Sequence, residues 1–258
     1  MLTISSWFGR LGNNILQIIR AIYFAEINGH TLVRFPKHSY LTESTIQLSS
    51  VNDSLANVSN NFFYLKDFGL SNPSIKHMKD IFQKYIADIF IIKKNDSIQE
   101  HDDINTLYIH FRGGDNFLPN NNNPLYVQPP LCYYTNIIGN YSKIKLICED
   151  SSNPCIQELL KFKHVEYISG SLYEDLLLFM KAKHLCIGLG TFGLLLFFMN
   201  DTIEKLYIPD YYFQLLGHTN SDCGNTEIIR TTFPNYIKIG EWKNSESQRQ
   251  FMLQYRDN

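Results

Sequence analysis

The chain has 258 residues, enough for one large domain or two small ones, and its 44% hydrophobic and 19% charged residues suit an ordinary globular core. A net charge of -2 supplies no global field for nucleic acid or an anionic membrane, so any phosphate must be held by a local site. Five scattered cysteines, with no CxxC pair and no metal-like histidine spacing, fit a reducing compartment. The longest apolar run, Leu194 to Met199, is far short of the roughly 18 residues of a membrane span.

A first strand is expected over Leu2–Trp7, followed by a glycine loop and a helix over Asn14–Asn28 that Gly29 ends. Ile15, Leu16, Ile18, Ile19, Ile22 and Tyr23 make its apolar stripe wide enough to lie on a sheet. A second strand is expected at Thr31–Phe35, stopped by Pro36. Leu41–Asn61 is rich in Ser, Asn and Thr and reads as a surface loop, Phe62–Leu65 as a strand and Ile75–Ile91 as a helix. The polar, charged stretch Lys93–Asn105 marks the expected boundary between an N-terminal domain (1–105) and a C-terminal domain (106–258).

The second half is more regular. Apolar strands are expected at Leu107–Phe111, Ile144–Cys148, Val165–Ile168, Leu185–Gly188 and Leu206–Ile208. Helix starts stand between them at Pro130, at Asn153-Pro154, and at Ser171 with Glu174, a capping box. Strands alternating with helices imply an α/β fold with a parallel sheet and right-handed crossovers. Asn120–Asn123 reads as a loop, and Ser245–Tyr255 as a final helix.

In open α/β sheets ligands bind beyond the carboxyl ends of the strands, and four clusters fall at such places. They are Gly9-Arg10-Leu11-Gly12-Asn13-Asn14, His110-Phe111-Arg112-Gly113-Gly114-Asp115, Glu149-Asp150 and Gly188-Leu189-Gly190-Thr191-Phe192-Gly193. Glycine-rich turns entering helices offer N–H groups to phosphate, an arginine clamps a diphosphate, and carboxylates accept from a base or ribose. Each has a plainer role too: turn glycines, an Arg112–Asp115 ion pair, acids complementing a helix dipole, or Thr191 as an N-cap. Four clusters at successive strand ends favour the ligand reading.

Gly188-x-Gly190-x-x-Gly193 with Asp210 formally matches a dinucleotide fingerprint, which would imply an NAD-binding oxidoreductase. It stands too late in the chain for the βαβαβ unit that should follow.

Gly9–Asn14 with Ile15-Leu16-Gln17 resembles the glycine loop of the α-1,2-fucosyltransferase family, which belongs to a wider group with the protein O-fucosyltransferases. His110–Asp115 resembles that family's His-x-Arg-Arg-Gly-Asp motif, Glu149-Asp150 its acidic pair, and Gly190-Thr191-Phe192-Gly193 its Ser-Thr-Phe-Ser-type motif. The match covers the first helix and about residues 106–200. It departs at Gly113, where the second arginine is expected, at Asn14, where glutamine is usual, and at Gly190, which replaces a serine.

The resemblance implies a GT-B-like architecture of two Rossmann-like domains facing a cleft, with the N-terminal domain (1–105) on the acceptor side and the C-terminal domain (106–258) holding the nucleotide-sugar donor. It implies inverting transfer of a sugar, L-fucose from GDP-fucose, to a glycan hydroxyl. In it Arg112 binds the donor diphosphate and assists departure of the nucleotide, Thr191 and its backbone hold the β-phosphate, Asn13 faces the diphosphate from the opposite domain, Phe192 packs near the base, and Glu149 or Asp150 reads guanine or ribose; Gly12, His110 and Gly190 complete the expected donor-binding set. Asp115 and Glu149 are the candidates for general base. The expected partners are the nucleotide-sugar donor and the glycan acceptor, with no cofactor and no metal; Asp-x-Asp is absent from the sequence. Met1–Trp7 shows no basic or apolar leader, so a cytoplasmic enzyme of bacterial or viral type is expected. The alternatives are another nucleotide sugar on the same scaffold and a non-catalytic sugar-nucleotide-binding protein.

Overall fold

The computed structural model describes residues 1–49, 55–92, 103–118, 123–212 and 223–256. The chain forms two sheets. The smaller holds β1 (Leu2–Ile4), β2 (Leu32–Arg34), β3 (Thr45–Gln47) and β4 (Val58–Asn60) in the order β3-β2-β1-β4, with β3 antiparallel. The larger is entirely parallel and holds β5 (Thr106–Phe111), β6 (Lys143–Cys148), β7 (Val165–Ile168), β8 (His184–Ile187), β9 (Lys205–Pro209) and β10 (Glu227–Thr231), ordered β10-β9-β8-β5-β6-β7. This is a Rossmann-like α/β arrangement. β5 is buried at all six positions, as a central parallel strand covered on both faces must be.

The helices are α1 (Leu11–Asn28), α2 (Ile75–Ile81), α3 (Leu131–Ile138), α4 (Pro154–Leu159), α5 (Leu172–Phe179), α6 (Thr191–Met199) and, near the C-terminus, α7 (Glu246–Gln254). α1 begins at Leu11, three residues before the expected Asn14, with no side-chain cap to mark its start, whereas α4, α5 and α7 start at their sequence signals. Asn153 Oδ1 accepts from the Cys155 N–H at 3.0 Å with Pro154 in the first turn. Ser171 and Glu174 close the capping box, and Ser245 caps α7.

One apolar core runs through both halves: Ile15, Ile18, Ile19 and Ile22 of α1 belong to the same buried cluster as Leu194 to Met199 of α6. α6 is apolar at nearly every position because it lies between the two sheets. Gln83 Nε2 of the first half also donates to the Phe198 carbonyl at 2.5 Å. The expected boundary at 93–105 has residues 93–102 outside the described set, as are Asn120 to Asn122 of the expected loop.

Several expectations need correction. β1 ends at Ile4 rather than Trp7, since the Ser6 carbonyl is turned to accept from Gln17 Nε2 at 3.0 Å. Leu41–Asn61 contains two short strands, β3 and β4, among its described residues. Phe62–Leu65 is not a strand. Asn60 and Asn61 accept from the N–H groups of Phe62 and Phe63 at 3.3 and 2.9 Å, turns that stop β4. The helix expected over Ile75–Ile91 stops being α-helical at Ile81 and passes through a π turn, Phe82–Ile86. Beyond it, the Tyr40 carbonyl and the Thr42 N–H bond Ile91 and Ile89 at 3.0 and 2.8 Å.

Candidate functional site

In the large sheet, β5 continues to β6 on one side and meets β8 on the other. The strand order therefore reverses between β5 and β8, and a crevice opens at their carboxyl ends. His110 and Arg112 stand at the end of β5 and Gly188–Thr191 at the end of β8, so the sequence puts its cation and its glycine turn on the two sides of one switch point. A Cβ built on Gly190 would lie 4.0 Å from Arg112 Cδ, and Gly190 itself has φ +131, which L side chains rarely adopt.

The two glycine loops meet there. A Cβ on Gly12 would sit 2.6 Å from the Phe192 amide nitrogen and 2.7 Å from the Thr191 carbonyl carbon, so only glycine lets α1 and α6 touch backbone to backbone. Thr191 is the first residue of α6 and not its N-cap, which is Gly190; its hydroxyl instead donates to Asn13 Oδ1 at 2.5 Å. Neither helix start carries a side-chain cap. Their orphan N–H groups and positive dipole ends thus converge.

Arg112 is only partly exposed, and its Nη2 donates to Asp115 Oδ1 at 2.6 Å. Its backbone carbonyl accepts from Asn153 Nδ2 at 3.2 Å, which anchors the residue's main chain. Arg10, part of the first glycine cluster yet given no role of its own in the sequence reading, reaches the same place. Its Nη1 bonds Glu149 Oε2 at 2.6 Å and its Nη2 lies 3.5 Å from Asp115 Oδ1. Asp115 therefore holds two guanidinium groups. A Cβ on Gly113 would meet Asp150 Oδ1 at 2.7 Å, so a second arginine at that position would collide with the acidic loop.

The acidic pair is engaged. Asp150 Oδ1 accepts from the N–H groups of Gly114 and Ser152 at 3.0 and 2.9 Å. Burial pushes its carboxyl up, but bonds from Ser152 and Gly114 and the charge of Arg10 together hold it below the usual range. Asp150 braces the Gly113–Gly114 turn, and Glu149 pairs with Arg10.

Two buried polar side chains lie near Phe192 and along α5. His110 is buried, its ring 5.0 Å from that of Phe192 and 6.1 Å from that of Phe179, and its Nδ1 has no hydrogen-bond partner. Burial, helped by the Arg112 charge, lowers its imidazole to about 3, so it is neutral. One turn before Phe179 on α5, Asp175 is 9% exposed with Oδ1 also unpartnered, and burial pushes its carboxyl up. Asp175 escaped the sequence reading because it sits beside the capping box. Its i, i+4 spacing from Phe179 was the available signal.

Asn14, where the resembled family has glutamine, is a buried structural residue. It accepts from His38 Nε2 at 3.2 Å and donates to the Phe8 carbonyl at 3.1 Å. Gln17, fully buried, ties the Ser6 and Asn61 carbonyls to the Phe8 N–H, the last at 2.9 Å. The loop that carries Arg10 is thereby held rigid from beneath.

Asp210, the acid of the formal dinucleotide fingerprint, accepts from Arg230 Nε and Nη2 at 2.9 and 2.5 Å. Among the described residues no group of three or more His, Cys, Asp or Glu is arranged to hold a metal, and no helix is long and apolar enough to cross a membrane. No protein family, curated protein or solved structure matches the chain.

Proposed function

We propose that the protein is an inverting glycosyltransferase of GT-B type that takes a nucleoside-diphosphate sugar, GDP-fucose in the first instance, and transfers the sugar to a glycan hydroxyl. The observation carrying this reading is the convergence, at one switch point, of Arg112, Arg10 and the uncapped starts of α1 and α6. Such a site binds a diphosphate, and its positive charge grows in value as the leaving group becomes more anionic.

In this reading the diphosphate displaces the Glu149 carboxylate from Arg10. Asp115 orients Arg112, and Arg10 turns from Glu149 to the phosphate. The freed Glu149 carboxylate then takes the proton of the acceptor hydroxyl. The acceptor oxygen forms its bond to the anomeric carbon as the carbon–oxygen bond to phosphate breaks, and the nucleoside diphosphate leaves with the electron pair. The base lies against Phe192. His110 and Asp175 supply the buried polar atoms that read it, Asp175 accepting from the adjacent N–H donors of guanine. Base reading thus passes from Glu149 and Asp150 to His110 and Asp175.

A thermal-shift series with GDP, UDP, ADP and dTDP tests the reading, because binding to the folded state raises apparent stability. GDP is expected to give the largest shift. Equal shifts would remove guanine recognition, a larger UDP shift would change the donor, and no shift with any nucleotide would overturn the reading.

A further inference from the structure

The small sheet has its own switch point. In the order β3-β2-β1-β4 the direction reverses at β1, which leaves the carboxyl ends of the parallel strands β1 and β4 side by side, with buried Gln17 tying Ser6 to Asn61 between them. Phe8 follows β1, and Phe63 and Tyr64 follow β4. Their rings pack together: Phe8 to Phe63 at 4.4 Å, Phe63 to Tyr64 at 4.8 Å and Phe8 to Tyr64 at 6.3 Å between centroids. Yet Phe8 is 44% and Tyr64 47% exposed. Contiguous aromatic surface left in water and rimmed by polar groups marks a binding place.

The surroundings decide the ligand. Ser5, Ser6 and Arg10 are exposed beside the rings, and Lys66 Nζ lies over the Tyr64 ring at 5.3 Å from its centroid. Three rings are about the size of one or two sugar rings and too few for a protein or membrane surface. A pyranose presents an apolar C–H face that matches the negative face of an aromatic ring, with hydroxyls at its edge for the polar rim. Phe8 is two residues from Arg10, a chain distance of at most about 7 Å. A saccharide on the rings is therefore beside the cations of the large sheet.

We infer that Phe8, Phe63 and Tyr64 form the acceptor subsite, on which a pyranose of the acceptor glycan stacks; the inference rests on the transferase reading above. The network of Asn14, Gln17 and His38 is what holds Phe8 in place: Asn14 and Gln17 bond its carbonyl and N–H, and His38 bonds Asn14. The exposed rings and the buried amides are two parts of one rigid loop.

Saturation-transfer NMR with methyl galactoside, methyl glucoside, methyl mannoside and lactose at millimolar concentration tests this on the whole chain. At least one is expected to show transfer to its C–H protons. Phe8→Ala and Tyr64→Ala should each weaken binding about tenfold. Phe8→Leu keeps apolar bulk without a π face and should behave as Phe8→Ala, whereas Tyr64→Phe should retain the signal. GDP thermal shifts should be unchanged in all four variants. No saccharide signal from the wild type, with the GDP shift present, overturns the subsite and leaves the donor reading. An undiminished signal in Phe8→Ala and Tyr64→Ala also overturns it. A saccharide signal lost in the variants with no shift from any of the four nucleotides in the wild type would sink the transferase reading and leave a saccharide-binding surface. Should an alanine variant fail to fold, the Phe8→Leu and Tyr64→Phe contrast alone decides.

Discussion

Arg10 Nη1 lies 2.6 Å from Glu149 Oε2, a pair that joins residues 139 apart in sequence and ties the first glycine loop to the acidic turn after β6. Both side chains are more than half exposed, so the pair adds little to stability. Its consequence lies in binding. Glu149→Gln frees Arg10 for a diphosphate and should tighten GDP about two- to fivefold while turnover falls. Calorimetric titration with GDP, alongside kcat, checks this. Weaker GDP binding would return Glu149 to the role of base or ribose reader.

Gly12→Ala sets two effects against each other. Alanine favours a helix over glycine by about 1 kcal/mol. Against that, the new methyl would meet the Thr191–Phe192 backbone at 2.6–2.8 Å, and backbone cannot swing away as a flexible side chain does. Overpacking of this kind costs about 1–3 kcal/mol and wins. A lower Tm with weakened GDP binding is expected; an unchanged Tm would mean that α1 and α6 do not touch.

His110 makes stability depend on pH. Its ordinary value is 6.5 and burial lowers it to about 3. Between these limits the unfolded chain binds a proton that the folded chain refuses, so stability falls as pH drops through the window. Half-buried His38 and buried His184 are lowered as well, each chiefly by burial, and act in the same sense. His110→Gln should flatten the slope by up to about 1.4 kcal/mol per pH unit. Urea unfolding between neutral pH and mild acid reads the slope, and an identical slope in the variant would contradict the neutral buried imidazole.

Much of this geometry was legible in the residues. β7 falls on Val165–Ile168 as expected, and β5, β6, β8 and β9 differ only by end residues, because short apolar runs bounded by capping signals have few alternatives. The first half was harder to read. β3 and β4 are three residues each and polar on their exposed positions, so no period shows in so short a run. β10 is five residues long with none fully buried, and its Glu-Ile-Ile-Arg-Thr run shows no alternation, so it was missed. At the site, the strand-end clusters could be located one by one. Contacts between them could not, since Arg10 to Glu149 and Thr191 to Asn13 depend on how two sheets share α1 and α6.

In the proposed reading Arg112, Arg10 and two helix starts meet the phosphate charge. Turnover should therefore persist in EDTA. Loss of activity in EDTA with recovery on adding Mn²⁺ or Mg²⁺ would count against this way of neutralising the leaving group.

The most direct test is release of GDP from GDP-fucose by the wild type and by Arg112→Ala, with Tm measured on the same preparations. Arg112 is expected to stabilise the departing diphosphate by about 3–4 kcal/mol, so the variant should fold and release GDP about 10²–10³-fold more slowly. Arg112→Lys should recover part of the rate, because a point charge lacks the planar two-bond geometry. If Arg112 serves only its 2.6 Å bond to Asp115, the variant will instead melt earlier and turn over normally. A well-folded Arg112→Ala protein with near-wild-type release of GDP, or no release by the wild type, would contradict the account.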